Sequence, residues 1–156
     1  MANFIGEYIC KVDSKGRILL PSAFLRRLNN PEELLFVVKK DIYENCLALY
    51  IQSDWENEIS VIRNKLNPFN KEHNNFLREF YKGTAEISLD NANRMLIPKR
   101  LFDLINIKSE VYLIGIDTKI EIWTKETYEN NCLSNSEFEN LAQKLLGLPD
   151  NIQNNA

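Results

Sequence analysis

Five side chains carry the chemistry this sequence offers most plainly: Asp13, Lys15, Arg17, Asp90 and Arg94. They belong to a ten-residue stretch written twice, V-D-S-K-G-R-I-L-L-P at 12–21 and L-D-N-A-N-R-M-L-I-P at 89–98. Asp13, Arg17 and Pro21 match Asp90, Arg94 and Pro98 at a constant offset of 77. An Asp four residues before an Arg, across a polar turn, can form a carboxylate–guanidinium pair that fixes both the turn and the direction of the Arg. Lys15 then stands at the tip. Two roles are open: the pair is a structural clip, or Lys15, Arg17 and Arg94 are held out to phosphates and guanine edges. They are compatible, because a clip on Asp leaves part of the Arg donor fork free.

The flanking residues say what must position these groups. Residues 7–12 alternate polar and apolar, the period of a half-buried strand. Ile18-Leu19-Leu20 is a short apolar run, so the simplest structure is a β-hairpin with Asp13 and Arg17 at its mouth. Gly16 accepts positive φ in the turn, and Asn93, its counterpart, is the non-glycine residue most tolerant of that region. Asp13, Gly16, Asp90 and Asn93 are therefore expected to shape the loops.

The repetition continues beyond the motif. Residues 22–28 and 99–105 read as short amphipathic helices behind Pro21 and Pro98, ended by Asn29-Asn30-Pro31 and Asn106. Strands follow at 34–38 and 111–114, then at 47–50 and 120–123. The offset falls there to 73, which places about four extra residues in the first copy's loop around 39–45. Ser53 and Thr124 are the expected caps of the next helices, which carry Trp55 and Tyr128. Trp55, Ile59, Ile62 and Leu66 recur at helical spacing up to Asn67-Pro68, and Phe76, Leu77, Phe80 and Tyr81 do so up to Gly83. Both stripes are expected in a core. A last stripe, Phe138, Leu141, Ala142, Leu145 and Leu146, is closed by Gly147-Leu148-Pro149. The expected organisation is a first repeat at 4–54, connecting helices at 55–82, a second repeat at 83–126, C-terminal helices at 127–149 and a disordered polar tail at 150–156.

Composition narrows the function. A hydrophobic fraction of 44% and a charged fraction of 26% suit an ordinary globular protein, and 156 residues suffice for one sizeable core or two small lobes. No apolar run approaches the roughly 20 residues of a membrane helix, and the N-terminus lacks a secretory pattern, so a cytoplasmic location is expected. Cys10, Cys46 and Cys132 are scattered without a C-x-x-C, and His73 is the only histidine, which argues against zinc and against disulfides. Cys10 and Cys46 read as apolar fillers and His73 as plain surface. With no phosphate-binding glycine loop and no G-x-S-x-G, neither an enzyme nor a cofactor is expected; Glu32-Glu33 reads as a solvated edge. Net charge is −3 and pI about 5.3, which weighs against wholesale nucleic-acid binding. Positive charge nevertheless gathers near the motif, with Lys11, Lys15, Arg17, Arg26 and Arg27 in the first copy and Arg94, Lys99 and Arg100 in the second.

Two units with D-S-K-G-R-I-L-L-P and D-N-A-N-R-M-L-I-P, each followed by helix, two strands and a Trp- or Tyr-bearing helix, resemble the MraZ proteins, bacterial relatives of the AbrB/MazE swapped-hairpin DNA-binding domains. The resemblance spans about residues 4–146. It implies a mainly β fold with helices (α+β): two tandem swapped-hairpin, double-split β-barrel repeats about a pseudo-twofold axis, with connecting and C-terminal helices. It also implies a ring-shaped homo-oligomer, a nucleoid-associated transcriptional regulator that binds repeated promoter boxes upstream of its own division and cell-wall operon. By position, the loops that face double-stranded DNA would offer Lys15, Arg17 and Arg94. Ala92 and Asn93 depart from the Lys-like and Gly residues expected there, so the second loop is expected to clip structure or touch phosphate more than it reads bases. The rival expectation is a ring-forming protein-interaction module whose Asp–Arg motif is only a clip. No small-molecule substrate and no membrane partner is implied.

Overall fold

A computed structural model describes residues 3–28 and 35–147. The expectations for Asn29-Asn30-Pro31, Glu32-Glu33, Leu34, Leu148-Pro149 and the 150–156 tail lie outside the described residues. In chain order the elements are β1 (Phe4–Lys11), β2 (Arg17–Leu19), α1 (Ser22–Leu25), β3 (Leu35–Lys40), β4 (Leu47–Ile51), α2 (Gln52–Arg63) and α3 (Lys71–Lys82). Then come β5 (Thr84–Ser88), β6 (Arg94–Leu96), α4 (Lys99–Leu104), β7 (Glu110–Asp117), β8 (Lys119–Trp123), α5 (Lys125–Asn131) and α6 (Asn135–Leu146). The fold is α+β, as expected.

The two copies exchange strands. Six strands form one antiparallel sheet in the order β1-β7-β8-β4-β3-β5, which maps onto itself when the copies are interchanged. The pseudo-twofold axis passes between β4 and β8, where Ala48 faces Glu121, two residues that are themselves 73 apart. The hairpin turn expected within each copy is present, with the Asp13 N–H on the Arg17 carbonyl and the Asp90 N–H on the Arg94 carbonyl at 3.0 Å each, but its strands part at once. β1 and β2 share only the bridge Val12↔Ile18, and β5 and β6 only Leu89↔Met95. Instead β2 pairs with β6 in a two-stranded ribbon centred on Ile18↔Met95, residues at the repeat offset of 77. The physical reason is burial. Ile18 and Met95 are fully buried in the main core with Phe4, Phe24, Phe36, Leu101 and Phe102, and a ribbon lying across the sheet seals that core where a flat hairpin would leave it open. Each such side chain contributes about 1.5–3 kcal/mol by leaving water.

Three layers result. The ribbon, α1 and α4 close one face of the sheet, and α2, α3 and α5 cover the other. β4 is therefore buried along its whole length: Leu47, Leu49 and Ile51 face the main core, and Ala48 and Tyr50 face Trp55, Ile59 and Phe80. Gly83 is needed for close approach; a Cβ there would meet Lys40 Cβ at 2.9 Å. The extra residues of the first copy lie in the loop after Lys40, where the second copy turns tightly at Asp117 with φ 54°.

Two local expectations need correction. Ser53 is not a cap: β4 runs directly into α2, the N-cap is Ile51, and it makes no side-chain cap bond. Thr124 does cap α5, accepting from the Thr127 N–H at 3.1 Å. His73 is not plain surface either. It is half-buried, and its Nδ1 accepts the Asn67 N–H at 2.8 Å, tying the α2–α3 connection to α3.

Candidate nucleic-acid interface

Each copy of the motif folds into the same clipped turn. Asp13 Oδ1 accepts the backbone N–H groups of Lys15 at 2.9 Å and Arg17 at 2.8 Å, while Oδ2 accepts Arg17 Nε at 2.7 Å. Asp90 repeats the pattern with Ala92 N at 2.8 Å, Arg94 N at 2.9 Å and Arg94 Nε at 2.9 Å. Asp is required because one short carboxylate must reach two backbone donors and a guanidinium at once, the Asx-type turn its side chain favours. The turn needs a left-handed residue before the Arg, supplied by Gly16 at φ 86° and Asn93 at φ 60°. These contacts stabilise the ionised carboxylates. Asp13 is lowered to about 2, first by the Arg17 N–H; desolvation, the next largest effect, opposes it, and the Arg17 side chain and the Lys15 N–H lower it further. Asp90 is lowered too, first by the Arg94 N–H.

Strand exchange brings the two turns together. The Gly16 carbonyl accepts the Ile97 N–H at 3.2 Å, and the Asn93 carbonyl accepts the Leu20 N–H at 3.0 Å, so each turn is bonded to the other copy's strand. In the ribbon, Arg17 stands opposite Leu96 and Leu19 opposite Arg94. Period-two alternation sends Ile18 and Met95 inward and these four side chains outward. Arg17 and Arg94 are thus diagonal neighbours, about 7–8 Å apart. Each uses Nε on its Asp, and their Nη1 and Nη2 donors make no hydrogen bond to other described residues. The result is a two-Arg face whose terminal guanidinium nitrogens have no hydrogen-bond partner among the described residues. Lys15 is exposed at the first tip, where the second has Ala92.

Two features escaped the sequence reading. Leu19 and Leu96 are 58% and 54% exposed between the arginines, although their apolar run suggests burial. The signal was the run itself, since every second residue of a three-residue strand must face away from the core. The cations near the second loop are also partly committed: Arg100 donates to the carbonyls of Lys82 and Thr84 at 2.9 and 2.8 Å, and Lys99 pairs with Asp103 at 3.2 Å.

One grouping has metal-ligand character. Asp41, Cys46 and Glu121 place donor atoms within 4.8 Å of one another, joined by the β4–β8 pairing. Their chemistry favours the chain's own contacts. Asp41 accepts the N–H groups of Tyr43 and Glu44, Glu121 accepts Trp123 Nε1 and pairs with Lys119, and burial pushes the Cys46 thiol up to about 12.

The family model described as "MraZ protein, putative antitoxin-like" matches this sequence twice, at residues 3–79 and 80–147. The chain belongs to the MraZ family. Among similar proteins, one from Bacteroides thetaiotaomicron is 37% identical over 138 residues, 88% of each chain. One from Christiangramia forsetii is 38% identical over 151 residues, covering 96% of this chain and 97% of the relative, and one from Clostridium tetani is 37% identical over 145 residues, covering 91% and 96%. All three carry the name transcriptional regulator MraZ. The two MraZ matches meet inside α3, between residues 79 and 80, although the folded sheet interleaves strands from both.

Proposed function

We propose that this MraZ-family chain is a transcriptional regulator that binds double-stranded DNA through the ribbon and its two clipped turns. The observation that carries the reading is the pair Arg17 and Arg94, each oriented by an aspartate through Nε and set on one exposed face. An Arg so oriented offers both terminal nitrogens to guanine O6 and N7 or to a phosphate, with little side-chain freedom left to lose. Lys15 adds a phosphate contact at the first turn. Leu19 and Leu96 then have a role between the arginines, packing on thymine methyl groups or deoxyribose. No metal, cofactor or catalytic step enters this reading, and the chain's place is in the cytoplasm, on the nucleoid.

A single face of this size binds weakly and is sensitive to salt. The function therefore includes a ring-shaped homo-oligomer and repeated boxes upstream of the chain's own division and cell-wall operon. Several faces meeting boxes at matching spacing raise avidity by about 10²–10⁴. The exposed Leu19 and Leu96 also suit a second reading, a protein partner seated on the ribbon. Titration of the purified protein against a duplex of its own upstream region and a scrambled duplex, at several salt concentrations, separates the two. DNA recognition requires tighter binding to the upstream duplex and affinity that falls steeply with salt. Equal, salt-insensitive binding to both duplexes favours the protein partner.

A further inference from the structure

Lys39 is a buried cation that the ribbon does not use. It stands on the face of the sheet that α2 and α3 cover, 7% exposed, with Nζ 4.2 Å from the centre of the Phe80 ring. The ring face takes one side of the ammonium, which has three donors to place. Among the described residues Lys39 makes no hydrogen bond and no salt bridge. Asp41 and Glu58 lie near enough to favour its charge, but Asp41 accepts the N–H groups of Tyr43 and Glu44, and Glu58 is exposed. The neighbouring cations are already engaged: Lys119 pairs with Glu121, and Lys40 is bonded to two carbonyls. Burying a charge without a partner is costly, so such a group points to something that meets it.

The fold itself does not call for a lysine there. The register sets Lys39 opposite Ala48 and Ile114 opposite Glu121, and Ala48 and Glu121 hold the same place in the two copies. The second copy thus fills with a buried isoleucine the position where the first carries a charge. The ammonium opens on a cavity of about 220 Å³ between α2, β3, β4 and the loop after β3. Among the described residues no buried polar side-chain atom lacks both a bond and access to solvent, so Nζ reaches that space. Tyr50, Trp55, Ile62 and Phe80 form the walls, and Ile42 and Tyr43 come from the loop that is longer in the first copy. Charge and cavity therefore belong to one copy alone.

The lining states what fits. The cavity is smaller than the about 300–1,000 Å³ of sites for drug-sized ligands, which suits a single ring with one acid group. Aromatic walls favour a flat apolar body in offset or edge-on contact. A lone ammonium favours a carboxylate, which it binds through a charge-assisted hydrogen bond. We infer that this cavity binds a small monocyclic aromatic carboxylate, its acid group on Lys39 and its ring against Trp55 and Phe80. The site lies on the side of the sheet away from the ribbon, so it stands or falls apart from DNA recognition.

Calorimetry on the full-length protein tests this without DNA. Benzoate and phenylacetate are the probes; benzamide, which keeps the outline and loses the charge, and inorganic phosphate, which has no ring, are the controls. At least one of the acids should saturate a single site per chain at millimolar concentration, with both controls weaker by about tenfold or more. Lys39→Met keeps the length of the stem and removes the charge. It should retain the wild-type thermal melt and lose the acid by about tenfold or more. Should that variant fail to fold, the contrast of acid with benzamide on the wild type decides the matter. Failure of both acids to bind, a control that binds as tightly as the acids, or a folded Lys39→Met with unchanged affinity overturns the inference.

Discussion

The two clipped turns share a scaffold and differ in chemistry. Both put an aspartate on two backbone N–H groups and an arginine Nε, and both cross to the other copy's strand through one carbonyl. The two bonds from Arg17 are slightly shorter than those from Arg94, and the first tip carries Lys15 over Gly16 where the second has Ala92 over Asn93. What holds the arginine in place is thus kept separate from what surrounds it. The first turn is a cationic finger, while the second presents one arginine on a neutral tip.

The sharpest way to break that comparison is to remove the arginines singly. Arg17→Ala is expected to abolish box-specific binding, a loss of 100-fold or more once summed over a ring, since one bidentate guanine contact contributes about 1–3 kcal/mol. Arg94→Ala should cost less, about tenfold, if it meets phosphate. Gel shifts on the upstream duplex compare them; equal losses would mean the turns do the same work. A smaller effect comes from making the turns alike. Ala92→Lys should tighten binding a few-fold on any duplex and steepen the salt slope by about one per added phosphate contact on each molecule. An unchanged slope would place the second tip away from the backbone.

The smallest effect is one of pH. Asp13 is held at about 2 in the folded turn, below its ordinary 3.8, so the folded state favours the carboxylate. Its contribution to stability is full above about pH 4 and is lost as pH falls toward 2. Carboxyl carbon shifts should show Asp13 titrating near 2, with the Asp90 midpoint also below 3.8. Asp13→Asn should flatten stability over that window, and a normal midpoint for Asp13 would show the clip to be absent in solution.

Much of this was legible in the chain. The repeat, its offset, the left-handed place for Gly16 and Asn93, and the strand order within each unit all follow from local patterns that act over a few residues. Partner choice was not. Ile18-Leu19-Leu20 states a period of two but cannot say which strand it pairs with, so exchange between the copies was implied by the swapped-hairpin resemblance alone, and the diagonal placement of Arg17 and Arg94 came only with the pairing itself. Ser53 failed as a cap because the strand entered the helix without a loop, a matter of tertiary direction more than residue preference. The stripe on α6 showed an apolar face without saying what covers it, and Cys46 met Glu121 only through the pairing of β4 with β8.

Strand exchange also bears on how the molecule comes off the ribosome. β1 is made first, but its only ladder partner, β7, starts at Glu110, and β2 waits for β6 at Arg94. When synthesis has reached the end of α3, β3 and β4 can pair, but Phe4 and Ile18 still lack Met95, Ile97, Leu101, Phe102 and the other second-copy members of their core. Closing such distant pairs is slow and leaves apolar surface open meanwhile. Doubling the unit within one polypeptide therefore postpones the interior until nearly the last strand has been translated.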